Sequence, residues 1–196
     1  MSLPNAITLS RIPLMFVIAW LSYPGWVWAP SLAFWLFIAA AIGDWLDGYL
    51  ARSRGQISSF GKLMDALTDK IMVMGLIIVF VDRQEVPVAL ALITLCREFL
   101  ITGMRMVAAS KGVVVAADGG GKSKTVTQLV AIGFLLAAPM VGRDWARFLP
   151  WDLTRFTQLV HGIGFWIFWV GTALAVWSGA RYIIQHRKMV FADADR

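Results

Sequence analysis

Of 196 residues, one is cysteine and two are histidine. The lone Cys96 excludes an intrachain disulfide, and within an apolar run it is expected to be inert packing. His161 and His186 form no ligand pair and are expected to be packing and interfacial residues. No internal repeat and no low-complexity tract interrupts the chain, which reads as one domain over 1–196. No Lys or Arg precedes Arg11, and no small-residue cleavage site follows a short apolar core. A cleavable signal peptide is therefore not expected.

What is abundant is apolar. Hydrophobic residues make up 59% of the sequence, and mean hydropathy is +0.69. Soluble domains are about 45–50% apolar, so a polytopic membrane protein is expected. Ten tryptophans, many near predicted helix ends, fit an interfacial aromatic belt. The net charge is +6. In a soluble protein that would raise nucleic acid as a partner. Here the bases sit in loops beside apolar spans, so topology and anionic lipid or phosphate ligands account for them, and no nucleic-acid partner is expected.

The pattern predicts an all-α integral membrane protein with six transmembrane helices and a short N-terminal interfacial helix. Residues 4–11 form the interfacial helix, with Pro4 in its first turn, and Pro13 bends the chain into a span over 12–28. Further spans run from after Pro30 towards Asp44, then over 61–82, 86–110, 125–141 and 157–184. Residues 112–121 and 142–155 read as loops. The loops on one side carry Arg11, Arg52, Arg54, Lys62, Lys111, Lys122, Lys124, Arg181, Arg187 and Lys188. The other side has only Arg83, Arg143, Arg147 and Arg155. That bias places both termini in the cytoplasm.

Four carboxylates stand out against this background. Asp44 and Asp47 are three apart, and Asp65 and Asp69 are four apart, so on helices each pair shares a face. Residues 53–60 read as a turn, which makes the two helices antiparallel and brings the four acids to one spot. A charge at the centre of a membrane helix costs about 2.5–3.5 kcal/mol. Such a cluster makes sense if it holds cations, and hard oxygen ligands suit Mg²⁺, Mn²⁺ or Ca²⁺. Solvated helix ends, or partners for Arg52 and Lys70, would not need four helically phased positions. Gly48, Ala51 and Gly61 either let helices approach closely or leave bare backbone for a bulky ligand. Arg52 is either a positive-inside charge or a phosphate clamp.

Asp44, Asp47, Gly48, Ala51, Arg52, Gly61, Asp65 and Asp69 fit the pattern D-x2-D-G-x2-A-R-x8-G-x3-D-x3-D. In this the chain resembles the CDP-alcohol phosphatidyltransferase family. The resemblance implies a six-helix, usually homodimeric membrane enzyme that displaces CMP from a CDP-linked substrate with Mg²⁺ or Mn²⁺, two ions being expected. By motif position Asp44, Asp47 and Asp65 are metal ligands, and Asp69 is a further ligand or the general base. Gly48, Ala51, Arg52 and Gly61 contact the CDP group. The chemistry agrees: cations on a diphosphate ease departure of CMP, and an acceptor hydroxyl needs a carboxylate to take its proton.

A second set of bases bears on the acceptor. Arg97 and Arg105 are eight apart in the fourth span. Arg97 is either neutralised by Glu98 or functional, as intramembrane charges by default are. Gly121-Lys122-Ser123-Lys124-Thr125 is either an ordinary positive-inside loop or a phosphate-binding helix start. Together these bases suit an acceptor with its own phosphate, and not serine. Within the family the chain is similar to the phosphatidylglycerophosphate synthases in Pro4-Asn5, Thr8, Arg11, Arg97-Glu98, Arg105 and Gly121-Lys122-x-Lys124-Thr125-x-x-Gln128. By that likeness Arg97, Arg105, Lys122 and Lys124 hold the phosphate of glycerol 3-phosphate, while Asn5 and Thr8 lie by the nucleotide. CDP-diacylglycerol, glycerol 3-phosphate, membrane lipids and a second copy of the chain are the expected partners. Inositol phosphate or phosphatidylglycerol is the alternative acceptor. A divalent-cation transporter is the alternative of another class, but no deeper intramembrane acid supports it.

Overall fold

The computed structural model describes residues 3–23, 25–53, 59–110 and 119–191, and side chains within 9–23, 25–43, 67–68, 70–109 and 124–185. Among the described residues there are six α-helices and no strand: α1 (Leu3–Leu21), α2 (Ala29–Ser53), α3 (Ser59–Asp82), α4 (Val88–Ser110), α5 (Gly119–Pro139) and α6 (Thr154–Phe191). A π-turn over Met140–Asp144 and a 3-10 turn over Trp145–Arg147 follow α5.

Helix directions follow from which residues meet. A Cβ built on Gly75 of α3 would come 2.5 Å from Met15 Sδ of α1. Further along both helices, Arg83 donates to the Ser22 carbonyl at 2.7 Å and the Tyr23 hydroxyl donates to Asp82 at 2.8 Å. Contacts that rise together in number mean that α1 and α3 run parallel. The same logic makes α4 and α6 parallel, through Thr94 with Thr172 and Arg97 with Ala175 and Ser178. α5 runs antiparallel to α6, with Gly171 against Thr127 and Gly164 against Phe134. It also runs antiparallel to α2, with Gly133 against Phe37 and Asp144 against Ser31. The helices therefore alternate up and down. The end of α2, the starts of α3 and α5, and the ends of α4 and α6 lie at one end of the bundle.

The core runs through the middle of the bundle. Ile18 of α1, Phe37 of α2, Leu76 and Phe80 of α3, Ile132 and Leu135 of α5 and Phe168 of α6 are all buried in it. Among the described residues α2 and α3 do not pack on each other; each packs on α1 and on α5. Small residues let α5 and α6 approach: a Cβ on Gly164 would sit 2.9 Å from that of Phe134. Outward faces are apolar, with Phe16, Trp20, Trp35, Ile78, Phe99, Met106, Trp166 and Trp177 all exposed. In water such a surface is a liability, and in lipid it is the stable arrangement. Lys124–Arg147 and Thr154–Gln185 are long and apolar enough to cross a bilayer, while Leu9–Leu21 and Ala29–Gly43 are shorter apolar helices. This is compatible with a membrane protein.

Several boundaries differ from the sequence expectation. No separate interfacial helix ends before Pro13: α1 runs unbroken through it. The ring faces outward, so the lost N–H bond to the Leu9 carbonyl is the main penalty, and the helix absorbs it. The three glycines at 119–121 open α5 and are not loop. Part of the 142–155 stretch is helical. Arg11, expected among surface charges, is 3% exposed. Cys96 is exposed and not packed, because a helix apolar all round gives no sign of which face is covered.

The start of α2 is capped from afar. Leu32 N–H bonds to the Trp28 carbonyl at 2.8 Å, which makes Trp28 the residue that begins the helix. The carboxylate of Asp144 accepts from Trp28 N–H at 3.2 Å, Ser31 N–H at 2.9 Å and the Ser31 hydroxyl. These are the N-cap and N3 donors that a local capping box would satisfy. Here the π-turn after Pro139 delivers the acid instead. Trp28 holds φ 73°, a costly value for a bulky residue, and stacks on Phe148 with ring centroids 5.3 Å apart.

Candidate active site

The acidic motif lies on helical backbone. Asp44, Asp47, Gly48, Ala51 and Arg52 fall in the last half of α2, and Gly61, Asp65 and Asp69 fall in the first half of α3. Their side chains lie outside the described residues, as do those of Asn5 and Thr8 in α1 and Lys122 in α5. At 1.5 Å per residue, Asp47 and Asp44 sit about 9 and 14 Å before the end of α2. Asp65 and Asp69 sit about 9 and 15 Å after the start of α3. Because the two helices run in opposite directions from neighbouring ends, the pairs occupy matching depths. The helices keep each pair within one turn.

A polar seam crosses α3, α4, α5 and α6 at the same end. Lys70, the residue after Asp69, donates to the Thr102 hydroxyl. Thr102 in turn donates to the Glu98 carbonyl at 2.7 Å, one helical turn back. The Glu98 carboxylate accepts from Arg97 Nη1 at 2.8 Å and pairs with Lys124 of α5. Arg97 also donates through Nε to the Ala175 carbonyl at 3.1 Å and through Nη2 to the Ser178 hydroxyl at 3.0 Å. Gly179 makes room for it, since a Cβ there would meet Arg97 Cγ at 3.1 Å. One turn further down α6, Arg105 lies over the Tyr182 ring, 5.6 Å from its centroid. Consecutive Cα atoms are about 3.8 Å apart, so this chain of contacts starts beside Asp69 and ends at Lys124.

The seam is far from water and rich in positive charge. Lys124 is 4% exposed, and the Arg97 and Glu98 side chains are 13% and 12% exposed. Four cations, Lys70, Arg97, Arg105 and Lys124, face one described acid, Glu98. Arg105 Nε and Gln128 Nε2 are buried without a hydrogen-bond partner among the described residues. Several cations drawn together in a buried seam repel one another, so such a seam is suited to an anion. A cavity of about 400 Å³ between α3 and α4 reaches it, lined by Lys70 and Glu98 among apolar residues such as Met74, Phe99 and Met106.

Of the sequence candidates, the structure brings Arg97, Arg105 and Lys124 to this one seam. Arg97 is paired with Glu98, as one of the two sequence readings expected, and it lies near the other cations of the seam. Thr102 and Ser178 were missed. Thr102 had a signal, lying four residues beyond Glu98. Ser178 had none, being 81 residues from Arg97.

Residues 1–177 match the family description CDP-alcohol phosphatidyltransferase. Among similar proteins is the CDP-diacylglycerol–glycerol-3-phosphate 3-phosphatidyltransferase of Bacillus subtilis, 35% identical over 94% of this chain and 95% of that one. The protein of the same name from Rickettsia bellii is 32% identical over 95% of this chain and 96% of its own. An Arabidopsis thaliana protein of that name, numbered 2, is 33% identical over 93% of this chain and 78% of its own.

Proposed function

The chain belongs to the CDP-alcohol phosphatidyltransferase family, and from that premise we propose that it transfers a phosphatidyl group from CDP-diacylglycerol to glycerol 3-phosphate. The products are phosphatidylglycerol phosphate and CMP. The relatives that carry this activity in their names align along nearly the whole chain. The observation that favours a phosphorylated acceptor is the seam of four cations beginning beside Asp69.

Asp44, Asp47 and Asp65 would hold a divalent cation, with Asp69 completing the set or serving as base. A donor set of carboxylates alone, paired on two helices, fits a hard cation such as Mg²⁺ or Mn²⁺, and two ions are proposed. When bound, the metal neutralises diphosphate charge and eases loss of CMP. Asp69 takes the proton of the attacking hydroxyl. Gly48, Ala51, Arg52 and Gly61, with Asn5 and Thr8, receive the CDP group. Arg105, Lys122 and Lys124 receive the acceptor's phosphate. Arg97 adds charge there and, through two bonds, holds α4 against α6. The attack falls on the lipid-side phosphorus.

The enzyme is proposed to span the cytoplasmic membrane six times, with both termini and the site facing the cytoplasm. The excess of Lys and Arg at the site's end of the bundle supports that orientation. Family resemblance supports a homodimer. Purified protein supplied with CDP-diacylglycerol and Mg²⁺ should release CMP with glycerol 3-phosphate, and not with inositol phosphate or phosphatidylglycerol. Absence of CMP with glycerol 3-phosphate overturns the assignment.

A further inference from the structure

Glu98 is a puzzle within a site meant for an anion. An acid beside a phosphate pocket repels the ligand. Yet Glu98 is the one described acid at the site's end of the bundle, and it sits between Arg97 and Lys124. Its backbone carbonyl is held by Thr102, itself held by Lys70. Two of the four cations thus meet on its carboxylate, and Lys70 is linked to it through Thr102.

We propose that Glu98 is an exchangeable counter-ion, the internal stand-in for the acceptor's phosphate. With the acceptor absent, its carboxylate neutralises Lys124 and Arg97 at a depth where charges without a counter-charge would destabilise the bundle. When the phosphate arrives it supplies that charge, and Lys124 turns from Glu98 to the incoming oxygens. Arg97 keeps its bonds to Ala175 and Ser178 throughout, so the α4–α6 contact survives the exchange. Glu98 is a positioning residue here, and it touches no reacting atom. Glu98 lines the cavity between α3 and α4, which gives its side chain room to move aside. The inference rests on the acceptor-phosphate assignment above and adds why an acid belongs there.

The test uses Glu98→Gln, which keeps shape and removes charge. In metal-free buffer the variant should melt below the parent. Inorganic phosphate should raise its melting temperature by more than it raises the parent's, because the variant lacks the competing carboxylate. With Mg²⁺ and CDP-diacylglycerol present, KM for glycerol 3-phosphate should fall by about tenfold, the lower range for a charged hydrogen-bond partner. KM for CDP-diacylglycerol should stay unchanged. Adding Lys124→Ala should abolish the extra phosphate shift. An equal or smaller phosphate shift in Glu98→Gln, or a raised KM for glycerol 3-phosphate, overturns the exchange. Should Glu98→Gln fold only in phosphate, that itself supports it. Should it fail to fold in either buffer, Glu98→Asp decides: its shorter reach to Lys124 should give the same changes in smaller measure, and parental values refute the proposal. If the parent releases no CMP with glycerol 3-phosphate while the phosphate shifts behave as stated, the reaction assignment fails and the counter-ion role stands.

Discussion

Replacing Asp144 by alanine should cost more stability than any other single change at the outer end of the bundle. The carboxylate is 1% exposed and accepts three hydrogen bonds, two from the backbone at the start of α2 and one from Ser31. Alanine leaves a buried N–H, a part-buried N–H and a buried hydroxyl without their acceptor. Each orphaned buried donor costs about 1–3 kcal/mol, and a lost helix cap about 0.5–2 kcal/mol. Water reaching the gap returns part of that, so a net loss of about 3–5 kcal/mol is expected. For a chain of this size a melting temperature falls by about 2–4 °C per kcal/mol. Asp144→Ala should therefore melt about 6–20 °C below the parent in detergent. Ser31→Ala removes only the hydroxyl bond and should cost about 1 kcal/mol. In a double-mutant cycle the two changes should be non-additive, since they share that bond. KM for both substrates should hold, because the cap is at the end of α2 opposite the aspartates. An Asp144→Ala protein that melts within about 2 °C of the parent would refute the cap as a stabilising device.

Asp65→Asn should abolish CMP release while leaving a folded, membrane-inserted protein, as judged by an unchanged melting curve in metal-free buffer; substantial turnover would refute the metal role of the motif. Lys124→Ala should raise KM for glycerol 3-phosphate by about tenfold or more with KM for CDP-diacylglycerol unchanged, as steady-state kinetics with each substrate varied would report. Glu85, in the turn between α3 and α4, has its carboxyl pushed above the ordinary value of 4.5, first by burial, against the opposing pull of Arg83. Between that ordinary value and the raised one, the folded protein binds more protons than the unfolded chain, so stability falls as pH rises through the window. Glu85→Gln should flatten that part of the curve, and its melting temperature relative to the parent should fall as pH drops from 7 towards 4.5. A parallel pair of curves would refute it.

How much of this was legible in the sequence depends on how far a residue's partners lie along the chain. The end of α3 was readable because an apolar run from Ile71 stops at Asp82-Arg83, and its start because Gly61 follows a polar turn. Pro13 was misread because a proline signals a lost bond and not which side of the helix loses it; facing outward, it leaves α1 intact. Lipid-facing and buried sides are equally apolar, so nothing separated exposed Cys96 from buried Leu90 or Ile101. Within the site, the Arg97–Glu98 contact was visible as neighbours in sequence. The bonds that fix Arg97 to α6 reach 78 and 81 residues ahead and come from alternating helix direction, which no local pattern contains. Asp144 belongs to the same class: a lone acid in an outer turn, whose purpose depends on a helix start more than a hundred residues earlier.

The two acid-bearing helices are braced by shared neighbours and, among the described residues, not by each other. Among the described residues, the placing of α2 relative to α3 runs through α1 and α5 and core side chains such as Met15, Ala131 and Ile132. Enlarging or trimming those spacers should shift the acid-bearing helices relative to each other without altering any residue of the aspartate motif. Evolution has in them a dial on the proposed site that lies wholly within the buried core.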